Sequence, residues 1–164
     1  MSDALNHPNI VAFVNAWYRS LDVHDPIEIL YSYLAGDGLN MQFPDGDIKD
    51  EASFAVWYNR VINIFFDENH VVQSVESRIG DGEAELDVVV GWQASLWEAP
   101  AAKSKRVSMD ATQRWVVRPS SRNVYGLEIA YYNATHKPFQ YAPGFARLWP
   151  APDRPLHPIH SLSD

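Results

Sequence analysis

The stretch "NHVVQSVESRIGDGEAELDVVV", residues 69–90, decides what kind of fold this chain builds. Apolar and polar residues alternate on both sides of "GDG" at 80–82, and glycines around an aspartate suit the tight turn of a hairpin. Period two therefore predicts strands over 70–79 and 83–97. The same reading downstream gives strands at 105–118 and 123–135, with "EAPAAKS" as a longer loop and "PSSRN" closing the last hairpin.

Upstream the period is helical. Ile10, Phe13, Val14, Trp17, Tyr18 and Leu21 share one face of a first helix. A second opens at "DPIE": Asp25 suits the cap, Pro26 the first helical position and Glu28 a capping box. Its apolar face is Ile27, Leu30, Tyr31 and Leu34, and Gly36 ends it. Phe54, Trp57, Tyr58, Val61, Ile62 and Phe65 mark a third. Between them "GLNMQF" alternates as a strand. After Lys137 the chain holds six of its eleven prolines, which suits an extended arm. The expected organisation is an α+β domain over 1–137 and a proline-rich C-terminal arm over 138–164. In the domain, three N-terminal helices pack in a curved, mainly antiparallel sheet, a cone with a central pocket.

The chain is 164 residues long, enough for one domain with a sizeable core, which six Trp, eight Tyr and seven Phe would fill. A net charge of −8 argues against a nucleic-acid partner, because that affinity rests on Lys and Arg, and "KSKR" at 103–106 is too short a basic run. The absence of cysteine excludes disulfides, thiolate metal sites and a Cys nucleophile. "MSDALNHPN" has neither the basic region nor the apolar core of a signal peptide, and no apolar run reaches a membrane span of about 20 residues. A cytoplasmic protein with no membrane partner is expected.

Two stretches resemble nuclear transport factor 2-like proteins, in particular their SnoaL-like branch. "FVNAWYRSLDVHDPIEILYSYLAGDGLNMQF" is similar to the opening of such chains. "NHVVQSVESRIGDGEAELDVVV" is similar to their pattern of a His, an alternating strand, a glycine turn and Ala in a new strand. The resemblance covers about residues 8–135. It implies a homodimer and a pocket for a hydrophobic, cyclic small molecule. The activities it implies are those of a cofactor-independent isomerase, dehydratase (lyase) or cyclase, with a non-catalytic binding or dimerisation module as the alternative.

In isomerase-like relatives the strand after the second helix ends in a catalytic carboxylate followed by Pro; here that dipeptide is Phe43-Pro44. Asp45 has the same parity two residues later and is the acid candidate. A calcium loop starting there fails, because Gly46 falls second and Val56 stands where Glu is needed. The bland reading is a turn at 44–46, with Asp47 or Asp50 capping the third helix. His70 matches a His common in SnoaL-like sequences, where a neutral imidazole serves as general acid or base. Tyr18 is placed like an oxyanion-donating Tyr of the isomerase-like members. On strand 105–118, Val107, Met109, Ala111, Gln113, Trp115 and Val117 form the apolar face, so Gln113 needs a partner or a ligand. Asp110 then points outward, exposed or at a subunit contact. Phe43, Trp92, Gln113, Trp115, Tyr131 and Asn133 are the expected binding residues; Tyr131 and Asn133 share a face with Leu127 and Ile129. His157 and His160 are read as tail composition, so no metal site is expected.

Overall fold

The computed structural model describes residues 3–148; His157 and His160 lie outside the described residues. Helix α1 (His7–Asp22) begins where the Asn6 side chain accepts the Asn9 N–H, and it buries the expected face from Ile10 to Leu21. It ends in a Schellman turn. The Asp25 N–H reaches the Ser20 carbonyl at 3.1 Å and the His24 N–H reaches Leu21 at 3.2 Å. His24 holds φ 54°, a left-handed backbone that usually calls for glycine.

Helix α2 (Ile27–Tyr31) is shorter than its pattern predicts. Pro26 is the N-cap and makes no side-chain bond, so the expected Asp25–Glu28 box does not form. The chain leaves the helix because Tyr33 and Ala35 bond to Ile129 on the sheet, and Leu34 is buried there. Strands β1 (Asn40–Phe43) and β2 (Gly46–Ile48) form a small hairpin around Pro44-Asp45. Helix α3 (Glu51–Ile64) starts at a reciprocal box: Asp50 accepts from the Ser53 N–H, and the Ser53 hydroxyl takes the Asp50 N–H. Asp50, not Asp47, is thus the cap.

Phe65, expected on the face of α3, is instead the first residue of β3 (Phe65–Ile79). Then come β4 (Ala84–Leu96), β5 (Lys105–Pro119), β6 (Leu127–Asn133) and β7 (Gln140–Tyr141). The order across the curved mixed sheet is β2-β1-β6-β5-β4-β3, antiparallel except where β1 runs parallel to β6; β7 pairs with β5. This is the expected α+β architecture, with β2 and β7 added to it. The helices cover one face, and that face holds the core. No helix among the described residues is long and apolar enough to cross a membrane.

Two irregularities set which side chains face inward. Phe66 pairs with Ser95 but Asn69 pairs with Gln93, so two residues of β3, Asp67 and Glu68, oppose one of β4. Asp67 takes φ 49° there, and the bulge turns Glu68 and His70 onto the covered face. In β6, Ile129 pairs with Val117 and Tyr131 with Val116, leaving Ala130 as the extra residue. Parity reverses at that point.

Phe54 is fully buried against Trp17, Tyr31, Trp57 and Tyr58, whereas Val56 on the same helix is 67 % exposed. Phe54→Ala should cost about 3–5 kcal/mol, and Val56→Ala within about 0.5 kcal/mol. Urea unfolding with an unchanged slope checks both.

Candidate active site

A cavity of about 100 Å³ opens between α3 and the covered face of the sheet. Phe43, Trp57, Phe65, Trp92 and Tyr132 give it an aromatic wall, and Phe139 and Leu148 from the C-terminal segment also line it. Its polar groups are few: Asp45, Glu68, His70 and Gln113, with the phenols of Tyr58 and Tyr132.

His70 is held by a residue the sequence reading missed. Its ring Nδ1 lies 2.5 Å from Asp22 Oδ1, and its backbone N–H donates to Asp22 Oδ2 at 2.9 Å. A carboxylate accepts only, so the neutral imidazole carries its proton on Nδ1 and keeps the lone pair on Nε2. The ring stacks with Tyr18, centroids 4.7 Å apart, and with Trp92 at 6.0 Å. Asp22 follows the last apolar residue of α1, and nothing in local pattern links it to a strand 48 residues away.

Tyr18 stands behind the wall rather than in it. Its hydroxyl donates to Gln113 Oε1 at 2.5 Å, and the Trp115 indole N–H reaches the same oxygen at 3.0 Å. Gln113 therefore lines the cavity with its amide oxygen held by two donors. Burial pushes the Tyr18 phenol well above its usual range, with the neighbouring Tyr132 adding to the effect; burial also raises Tyr132. Both remain protonated and serve as donors, not bases.

Asp45 lines the cavity, but its carboxylate is ion-paired with Arg60 and only 4 % exposed. Phe43 stacks on Trp57 at 4.5 Å. Trp115 is buried and lies outside the lining. Tyr131 and Asn133 do not line it either: the extra residue at Ala130 turns them to the other face and brings Tyr132 and Ala134 inward. Asp110 does point outward, where it takes a hydrogen bond from Gln73 at 2.9 Å over Gly91.

Glu68, also missed, enters beside His70. Its side chain is 10 % exposed and accepts from the Trp92 indole at 3.1 Å; His24 Nε2 lies 2.6 Å from its other oxygen. Among the described residues no three His, Asp or Glu side chains converge as metal ligands would.

With this geometry in hand, solved structures identify the architecture. A proposed aromatic ring hydroxylase from Novosphingobium aromaticivorans superposes with a TM-score of 0.68 at 12% identity, covering 82% of this chain and 91% of that one. A proposed dehydratase of the NTF2-like family from Streptomyces avermitilis gives 0.65 at 11% identity, covering 77% and 92%. Hexachlorocyclohexane dehydrochlorinase LinA-type3 from Novosphingobium barchaimii gives 0.64 at 12% identity, covering 84% and 90%. The chain has the nuclear transport factor 2-like fold. No protein-family model matches it, and no curated protein gives a significant sequence match. These likenesses carry the fold, which hosts unrelated functions.

The buried phenols make alkaline stability a readout of this site. Burial, Asp25 and Glu68 push the Tyr58 phenol up to about 12. A raised pKa means that the native state keeps its proton while the unfolded chain loses it from about pH 10. The stabilisation is complete below pH 10 and is lost as pH rises through about 12. Melting temperature should therefore fall across that interval, and less steeply in Tyr58→Phe.

Proposed function

We propose that this protein is a cofactor-independent enzyme whose His70–Asp22 pair removes a proton from carbon in a hydrophobic, cyclic small molecule. One observation carries the reading: an imidazole at the wall of an aromatic cavity, with Nδ1 committed to a carboxylate and Nε2 left as acceptor. Asp22 fixes the tautomer and stabilises the imidazolium that forms. The apolar wall excludes water from a carbanion-like transition state and strengthens each polar contact within it. Gln113, whose amide oxygen is held by Tyr18 and Trp115, offers its amide N–H to oxygen on the substrate. The reactions this suits are elimination and double-bond isomerisation. Asp45, neutralised by Arg60, serves binding at the rim and not as the base. Two of the structural neighbours, the proposed dehydratase and the dehydrochlorinase, are named for eliminations, which supports this class.

The probe is 5-nitrobenzisoxazole, a flat bicycle that opens to a coloured phenolate when a base takes its ring C–H proton. Wild type should accelerate the opening, and His70→Ala or Asp22→Asn should lower kcat/KM by about 10²–10⁴-fold. Equal rates in wild type and His70→Ala, with binding retained, would leave the cavity as a binding site only. Homodimer formation belongs to the same proposal. Light scattering at twice the 18.6 kDa chain mass is the expected result.

A further inference from the structure

The cavity carries a second histidine–carboxylate pair, arranged in the opposite sense to the first. At His70–Asp22 the imidazole lines the cavity and the carboxylate stands behind it. At Glu68–His24 the carboxylate lines the cavity and the imidazole stands behind. A buried carboxylate needs partners, and the Trp92 and His24 contacts supply them. That need does not explain how the pair is delivered. His24 occupies the left-handed place of the α1 Schellman turn at φ 54°, where glycine is the ordinary residue, and Asp67 at φ 49° makes the bulge that turns Glu68 inward. Non-glycine residues in such conformations persist where the surroundings over-determine them, and they cluster at functional sites.

We propose that Glu68, supplied with a proton by His24, is a second catalytic residue, donating to the oxygen that leaves the substrate as His70 removes the C–H proton. This rests on the His70 reading and narrows the substrate to a hydrophobic ring bearing an oxygen leaving group on the carbon next to the one deprotonated. The C–H electron pair becomes the new double bond. The His24 imidazolium first passes its Nε2 proton to the Glu68 carboxylate and becomes neutral; the C–O bond then breaks, and its electron pair takes that proton from the Glu68 carboxyl, which returns to the carboxylate. The products are the unsaturated ring and water, or the corresponding alcohol. His70 then releases its proton, and His24, 28 % exposed, recovers one from solvent. No oxidant or reductant is needed.

The spacing fits this division of labour. Glu68 and His70 lie two residues apart on one face of β3, about 6.6 Å along a strand. An H–C–C–O fragment with a hydrogen bond of about 3 Å at each end spans a similar length. Trp92 touches both groups, stacking near His70 and donating to Glu68, so it holds the two at a constant separation.

The test uses benzisoxazoles whose departing phenolate oxygen grows more basic, from the dinitro through the 5-nitro to the unsubstituted compound. With an acid present, the wild-type kcat/KM should depend weakly on leaving-group basicity. Glu68→Gln should leave the dinitro compound within about threefold and lose about 10²-fold or more on the unsubstituted one. His24→Gly should steepen the series in the same way. Glycine is the residue the Schellman turn prefers, so this variant keeps the fold and carries the test if Glu68→Gln does not fold. A fall equal across the series, or no fall, in the folded variants overturns the proposal. A series on which His70→Ala matches wild type overturns instead the base reading beneath it.

Discussion

The carboxylate of Asp22 joins the end of α1 to the start of β3, accepting both the backbone N–H and the ring Nδ1–H of His70. Two residues further along, the same helix end supplies His24 to Glu68. Both histidine–carboxylate pairs therefore cross one seam, between the last turn of α1 and the first six residues of β3. A helix terminus is a good place for such a seam. The helix fixes the direction of its last side chains, and the Schellman turn sets the next two with hydrogen bonds of its own. The remaining strands carry the other wall of the cavity to this fixed edge.

Pleat parity governs the rest. On a regular strand every second residue faces the core, so one inserted residue exchanges the two faces. The bulge at Asp67–Glu68 does this on β3, and Ala130 does it on β6. Without the first, Asp67 and Asn69 would face inward in place of Glu68 and His70. Without the second, Tyr131 would occupy the place of Tyr132. The chemistry of the cavity thus depends on two single-residue offsets, while a third, at Gln73 on β3, falls at a residue that does not line the cavity.

An apolar cavity tolerates few polar groups, and most of those present are matched to partners; the exceptions are the Trp57 indole N–H and His70 Nε2. Asp45 is neutralised by Arg60, Gln113 takes two donors, and Tyr18 and Tyr132 are held neutral by burial. Phe43, standing where isomerase-like chains carry an acid, stacks on Trp57, lies tilted against Tyr132 and extends the aromatic wall. The proposed proton transfer uses the groups at the α1–β3 seam.

The sequence by itself determined the element types, because helical and strand periods follow from which residues must share a buried face. Ile10 to Leu21, Phe54 to Val61 and the alternation through 84–96 are patterns of nearest neighbours along one element. It also pointed to His70 and Gln113 as cavity residues and to the outward turn of Asp110. The tertiary structure decided the partners and the parity. Asp22 meets His70 across 48 residues, and His24 meets Glu68 across 44. Such contacts come from how helices seat on a sheet, which no local period encodes. The bulges are equally silent, since an inserted residue looks like any other until the facing strand sets the register.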